Sequence, residues 1–543
     1  MLSRLLPLTA AMLGLLATSA AASDNPPAAG GAAVVTGAVP MLSPDAGEQG
    51  FSQELAERLT AGANVTSAER EDRAALVAFY ASRNHELVWV GPGGLTPAGQ
   101  AVAGEIRRAD DWGLEAAAFP LPAVGPDSGS SGLSRAQRAD AEVAIGLAIL
   151  KYARHARGSR SDPATLSRFL DRKLPLLDPR EVITAAAKAD PPDAFLRWLH
   201  PRHPQFEALR QKYLALKSGR TEAPAAAGET GAAGKTPGKS RPAPQSSTAR
   251  KLLVNMEEWR WMPESLGDFY VWVNVPEFTL RVVKDGRVIH TERVVVGKRD
   301  TQTPIFSQNL EQVIFQPSWG IPESIKKQDV LPSLIRGSTR IFTHYNLRIQ
   351  RGGKDIDPST VDWSTADIRS YHVFQPPGAN NVLGNVKFRF PNKHDVYMHD
   401  TPQRQLFSAE VRAFSHGCMR VRNPERLAEL LLAEEQGWPA NRVAAAFKSG
   451  PQNNTVNLSR KIPVHITYFT AAVDDDGKLK LFGDLYEHES KIALGMEGKA
   501  HLIPRWKENA VNADVVGRLS ETSGSGYAKK DPVRRTFEAQ GGL

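Results

Sequence analysis

The sequence predicts a multidomain α+β protein: an all-α N-terminal scaffold module, then a mainly antiparallel β domain that carries a lid insertion. Three observations predict it. Apolar residues recur at helical spacings from about Phe51 to Lys217. Aromatic and β-branched runs dominate between Phe269 and Phe469. Between these regions, Ser218 to Ala249 holds no aliphatic residue larger than Ala, so it cannot bury a core and reads as a flexible linker. The 543 residues leave room for roughly two to four domains at ~100–200 residues each.

Met1 to Ala22 has the three parts of an export signal: Arg4, an apolar run from Leu5 to Leu16, and Ala20-Ala21-Ala22 at the cleavage point. The run is shorter than the ~20 residues that span a bilayer, so the expected mature protein is exported and soluble. Residues 23–50 are rich in Ala, Gly and Pro without periodicity, and are expected to be disordered.

Within residues 51–217, helices are expected from Thr96-Pro97, Ser134, Asp178-Pro179 and Pro204, each a cap or Pro signal ahead of a periodic run. Ala141, Ile145, Ile149 and Tyr152 give the second helix its apolar stripe. The histidines here (His85, His155, His200, His203) are scattered and read as ordinary core or surface residues.

From Arg250 the pattern turns to strands, with Phe269–Val275 and Phe278–Val283 first. Asp285-Gly286 marks a hairpin. Val294–Gly297, Gln312–Gln316, Val386–Phe390, Asp395–His399 and Ile462–Phe469 continue the series, and Asn423-Pro424 opens a helix carrying Leu427, Leu430 and Leu431. Residues 324–385 interrupt the strands and are expected to form the lid insertion of a catalytic domain spanning 250–496, with a polar tail over 497–543.

A net charge of +8 is too diffuse to argue for nucleic acid, and suits an anionic polymer equally well. A single cysteine excludes intramolecular disulfides, Cys-rich zinc modules and Cys-ligated iron–sulfur clusters. Free cysteine usually packs as a small hydrophobe. Cys418 differs, because it is an exported chain's lone thiol set within Ser415-His416-Gly417-Cys418-Met419-Arg420. Gly417 permits close approach or positive φ, and Arg420 adds a charge that favours thiolate. His399, at an expected strand end ahead of Asp400-Thr401-Pro402, is the candidate base, with a carbonyl or side chain near Asp400 to orient it. The N–H groups of Gly417 and Cys418 are candidate oxyanion donors. His394, His399, His416 and Cys418 have metal-ligand chemistry, but their spacing matches no familiar zinc pattern, so no metal is expected.

These segments resemble the signature of the L,D-transpeptidases, with a YkuD-type catalytic domain, that cross-link peptidoglycan. Trp259-Arg260-Trp261-Met262-Pro263, Gln316-Pro317-Ser318-Trp319 and Phe388-Arg389-Phe390-Pro391-Asn392 extend the resemblance to the family's large periplasmic, lidded subgroup. Leu87-Val88-Trp89-Val90 with Leu95-Thr96-Pro97 resembles that subgroup's scaffold domain. The resemblance implies a periplasmic cysteine acyltransferase without cofactor, with tetrapeptide stems as donor and acceptor. In it, Cys418 forms a thioester, His399 is the base, and a second stem's amine gives a 3→3 cross-link. It implies supporting or oxyanion roles for Asp400, Ser415, His416, Gly417 and Arg420, and substrate contacts at Tyr397, Trp319, Arg389 and Asn392. Asp400 stands where much of the family has Gly, so the orienting contact there is expected from its main-chain carbonyl. Alternative fates of the same thioester are hydrolysis, D-amino-acid exchange and attachment of a lipoprotein to the wall. A wall-binding protein without catalysis is the reading that needs neither Cys418 nor His399.

Overall fold

The computed structural model describes residues 46–60, 65–124, 132–219 and 244–504. The expected export signal, most of the stretch 23–50, residues 220–243 of the linker and the tail beyond 504 lie outside the described residues.

The helical module forms where the caps expected it. Thr96 Oγ1 accepts the Gly99 N–H at 3.0 Å to start Pro97–Arg107, and Ser134 makes a reciprocal capping box with Gln137 ahead of Arg135–Ala156. Asp178 accepts the Arg180 N–H ahead of Pro179–Lys188. A helix over Ala46–Thr60 reaches back into the stretch expected to be disordered. The core gathers Leu76, Tyr80, Ile106, Ile145, Ile149 and Tyr152. The carboxylates of Asp72, Glu105 and Glu142 are buried in this module. Glu142 accepts the Tyr80 hydroxyl at 2.7 Å and the N–H groups of Val88 and Val90 at 2.7 and 2.9 Å, which fixes the Leu87–Val90 segment.

The largest departure from expectation lies at the junction. Residues 244–260 form a helix, Pro244–Arg260, where linker and then strand were expected. Its polar N-terminal turns hide it in composition. It is held by packing: Leu252, Met256 and Trp259 are buried with Phe206, Leu209 and Phe469. Trp259 stacks between His203 and Phe469, with ring centroids at 4.1 and 4.4 Å.

The following β domain is a nine-stranded sheet among the described residues. Its strands are β1 Phe269–Asn274, β2 Thr279–Lys284, β3 Arg287–Gly297, β4 Ser307–Phe315, β5 Val386–Arg389, β6 Met398–His399, β7 Ala413–Ser415, β8 Met419–Val421 and β9 Asn454–Thr467. The order is β7-β3-β8-β6-β5-β4-β9-β1-β2, and β2 also pairs with β3. The pairings therefore close on themselves through long β3, which hands over from β2 to β8 along its length. Pairing is antiparallel except at β6–β8, β7–β3 and β9–β1. Asp285 and Gly286 join β2 to β3 with φ of 48° and 72°, the two positive values a two-residue turn needs. Helix Pro424–Gln436 follows β8, but Asn423 makes no side-chain cap, contrary to expectation; Pro424 at the first turn marks the start.

The lid is a small four-stranded sheet, Trp319–Gly320, His372–Gln375, Arg348–Arg351 and Lys354–Asp355 in that order, with short helices between. It begins a few residues before the expected insertion and has its own core, including Ile325, Val330, Phe342, Trp363 and Tyr371. The helical module meets the β domain through residues 166–172. Leu166 and Leu170 are buried in the barrel core, Leu170 bridges Ile305, and the Arg172 guanidinium donates to Ser307 Oγ at 2.6 Å.

Candidate active site

Register brings the chemistry together. Lys387 of β5 stands opposite His399 of β6, and His399 opposite Arg420 of β8. One row along, the Met419 N–H donates to the Tyr397 carbonyl at 3.0 Å, so Cys418 sits beside Tyr397. Side chains alternate along strands, so Lys387, Tyr397, His399, Cys418 and Arg420 share one face. That face lies under the lid: Tyr397 belongs to the lid core, and Cys418 packs against both the lid core and the barrel core.

His399 is fully buried and its tautomer follows from its partner. Nδ1–H donates to the Asp400 carbonyl at 2.5 Å. Nε2 is therefore the unprotonated nitrogen, and it has no hydrogen-bond partner among the described residues. The Asp400 carboxylate faces away. It accepts the Asn385 N–H at 2.8 Å and the Thr401 N–H at 2.7 Å, and pairs with Arg404. Gly384 makes room for it: a Cβ there would lie 2.3 Å from Asp400 Oδ2, at a φ of 57°. The expectation that the main-chain carbonyl of residue 400, and not its side chain, orients the imidazole matches this geometry.

Cys418 keeps part of its surface open although it lies deep among protein atoms. Burial pushes its thiol up to about 11, against the pull of Tyr397 and Lys387. Burial, helped by the Arg420 charge, pushes His399 down to about 3. Both groups are thus neutral at pH 7. Arg420 was expected to favour thiolate; burial outweighs the charges that would do so. Arg420 is itself buried and donates to Gln403 Oε1 at 2.9 Å.

The loop before Cys418 is fixed from below. Ser415 Oγ donates to the Cys418 carbonyl at 2.6 Å and accepts the Gly417 N–H at 3.2 Å. Thr303 Oγ1 donates to the Gly417 carbonyl at 2.8 Å and accepts the Gly297 N–H at 2.9 Å. Tyr486 donates to the Gly297 carbonyl at 2.7 Å and accepts the Thr303 N–H at 3.2 Å. Gly417 has a φ of 113°, so the chain turns between His416 and Cys418 and the two do not share a face as an extended chain would have it. His416 is instead influenced by Lys298 and Asp300, and burial lowers it to about 4.

The remaining sequence candidates divide. Trp319 is buried at the lid edge and is a hydrogen-bond neighbour of Tyr397. Arg389 shares the Lys387 face but is exposed and donates to Gln312 at 2.9 Å. Asn392 spans the turn ahead of Tyr397, donating to the Phe390 and Val396 carbonyls at 2.7 and 2.8 Å. His394 meets Asp171 of the helical module at 2.9 Å. No group of three His, Cys, Asp or Glu among the described residues is placed to hold a metal ion. Sequence reasoning missed Lys387, Thr303 and Tyr486. The strict alternation of residues 386–390 marked Lys387 as polar-facing, a signal that stops short of showing a lid above it.

Comparison with known proteins gives two domain matches. Residues 74–212 match the Scaffold domain model, and residues 268–449 match the YkuD model, described as the L,D-transpeptidase catalytic domain. A curated Haemophilus influenzae protein named "Putative L,D-transpeptidase" is 32% identical over 253 residues, 46% of this chain and 50% of that protein. The aligned stretch thus spans half the length of that relative. Among solved structures, an L,D-transpeptidase from Mycobacterium smegmatis is 13% identical, with 37% of this chain and 58% of that one covered at a TM-score of 0.18. L,D-transpeptidase 3 from Mycobacterium tuberculosis is 11% identical, with 37% and 61% covered at the same TM-score of 0.18. Likenesses that faint carry no argument.

Proposed function

Since the chain carries an L,D-transpeptidase catalytic domain behind a scaffold domain, we propose that it forms 3→3 cross-links between peptidoglycan stems through a Cys418 thioester. The observation that carries this reading is His399: Nδ1 tied to the Asp400 carbonyl, Nε2 without a partner, one strand over from the chain's only thiol. The donor is a tetrapeptide stem. As the sulfur attacks the carbonyl of the third residue, the thiol proton passes to His399 Nε2, and the Asp400 carbonyl stabilises the imidazolium that results. The imidazolium returns that proton to the departing D-Ala amine. A second stem's side-chain amine then attacks the thioester, His399 takes its proton, and the sulfur leaves.

We assign the tetrahedral oxyanion to the Cys418 N–H, because the Gly417 N–H is directed at Ser415 Oγ. Tyr397 and Trp319, where lid and barrel meet, form the wall against which the donor stem lies. We place the protein in the periplasm, on the export signal at residues 1–22. No helix among the described residues is long and apolar enough to cross a membrane.

Incubation with purified disaccharide-tetrapeptide, followed by mass spectrometry, tests the proposal. The expected product is a dimer lacking one D-Ala, absent with Cys418→Ala. Tripeptide alone makes the protein a carboxypeptidase, and exchange of labelled D-amino acid without dimer makes it an exchange enzyme. No reaction refutes the catalytic reading.

A further inference from the structure

A neutral thiol lying deep among protein atoms needs a counter-charge when it ionises, because desolvation disfavours an isolated anion. The charged and titratable groups facing Cys418 are few. His399 and Tyr397 approach from β6, Arg420 from β8, Lys387 from β5 and Asp395 from the turn before β6. His399 is neutral at rest and becomes cationic only by taking the thiol proton. Arg420 is a second fixed cation whose charge reaches Cys418, but it stands opposite His399 and disfavours the imidazolium more than Lys387 does. Asp395 carries the wrong sign. Lys387 differs from all of these. Its Nζ lies 3.8 Å from the Tyr397 ring centroid, and Tyr397 is the neighbour of Cys418 on the adjoining strand. The ring face holds the ammonium beside the neighbour of Cys418.

We propose that Lys387 is the counter-charge of the Cys418 thiolate: the ammonium held on the Tyr397 ring stabilises the sulfur anion formed when the thiol proton moves to His399. Lys387 keeps its own proton throughout. The sulfur gains the electron pair of its S–H bond, and the proton ends on His399 Nε2. The proposal rests on Cys418 being the nucleophile. Burial lowers Lys387 from its ordinary value, Cys418 is the foremost charge acting against that, and Lys387 is in turn among the groups that lower Cys418.

The test needs no substrate. The single thiol reports alone, so alkylation by iodoacetamide, followed by intact mass, reads thiolate formation at each pH. Lys387→Met and Lys387→Gln remove the charge, and Lys387→Arg keeps it. Between pH 7 and 8, below the range in which a lysine lowered by burial gives up its charge, both neutral variants are expected to alkylate at least about tenfold more slowly than wild type, one pH unit's worth of thiolate. Lys387→Arg is expected to stay within about threefold. Circular dichroism at each pH checks that the variants are folded. Neutral variants that alkylate as fast as wild type overturn the proposal, and so does an Arg variant as slow as the Met variant, since packing and not charge is then at stake. Failure of the nucleophile reading shows separately, as turnover that survives complete alkylation of Cys418.

Discussion

Replacing His399 with Ala removes the imidazole proposed to take the thiol proton. With the thiol pushed up to about 11, roughly one molecule in 10⁴ carries thiolate unaided at pH 7. General-base assistance is worth ~10²–10⁴ in rate, so His399→Ala is expected to lose that much in acylation at pH 7. The loss should shrink about tenfold per pH unit towards pH 11, as the thiol ionises without help. The wild type, whose His399 protonates only near 3, should keep its base through the neutral range and decline only in acid. His416→Ala serves as the contrast. Lys298 and Asp300 are the foremost charges acting on it, and its loss is expected to cost about tenfold or less, the equivalent of ~1–1.5 kcal/mol. Stopped-flow acylation of both variants from pH 6 to 11 gives the answer. If His416→Ala is the slower enzyme and the one rescued by alkali, the assignment of the base is reversed. If His399→Ala is slow but flat with pH, His399 holds structure and does not move the proton.

Gly384→Ala places a methyl 2.3 Å from Asp400 Oδ2 at a positive φ, so it should displace the turn that carries the orienting carbonyl; a destabilisation of about 1–3 kcal/mol, read by urea melts, should accompany a fall in acylation rate. A variant as stable and as fast as wild type would show the cradle to be incidental. Because Cys418 is the only thiol, a carbapenem should add one adduct by intact mass, and none to Cys418→Ala; an adduct on the variant removes Cys418 from the mechanism. Acid should weaken the fold through its buried histidines. His399 and His488 titrate near 3 and His465 near 4 when folded, each lowered chiefly by burial. The unfolded chain takes up these protons below about pH 6.5, so stability should be level above that pH and fall by up to ~1.4 kcal/mol per group per unit on the way down to their folded values. Urea midpoints between pH 8 and 4 read this, and a profile level down to pH 4.5 would refute it.

Short-range signals were legible where local chemistry decides local structure. Thr96-Pro97, Ser134 and Asp178-Pro179 start helices because side-chain oxygens meet orphan N–H groups within a few residues. Asp285-Gly286 turns the chain because those two residues tolerate positive φ. Cys418 and His399 can be nominated from the sequence because the motif around the lone thiol and the strand-end histidine each carry their own signal. What failed was whatever tertiary packing decides. Pro244–Arg260 is helical because Trp259 has His203 and Phe469 to stack on, and neither is near it in sequence. Thr303 is 114 residues from Gly417 and 183 from Tyr486, and no local pattern announces such a chain of hydrogen bonds. Asn392 carries functional-looking chemistry, yet its amide is spent on two carbonyls of its own turn.

The insertion of Leu166 and Leu170 into the barrel core has a consequence for how the protein is made and divided. A ribosome delivers the helical module first, so the plug exists before the barrel that needs it. The β domain can complete its interior only once its own late strand, residues 454–467, has emerged and closed over apolar side chains supplied from the other end of the chain. A fragment cut at the linker would keep the nucleophile and its base but leave a hole where two leucines stood, beside Ser307 without its Arg172 partner. The two modules are therefore separable as annotations of sequence and inseparable as folding units.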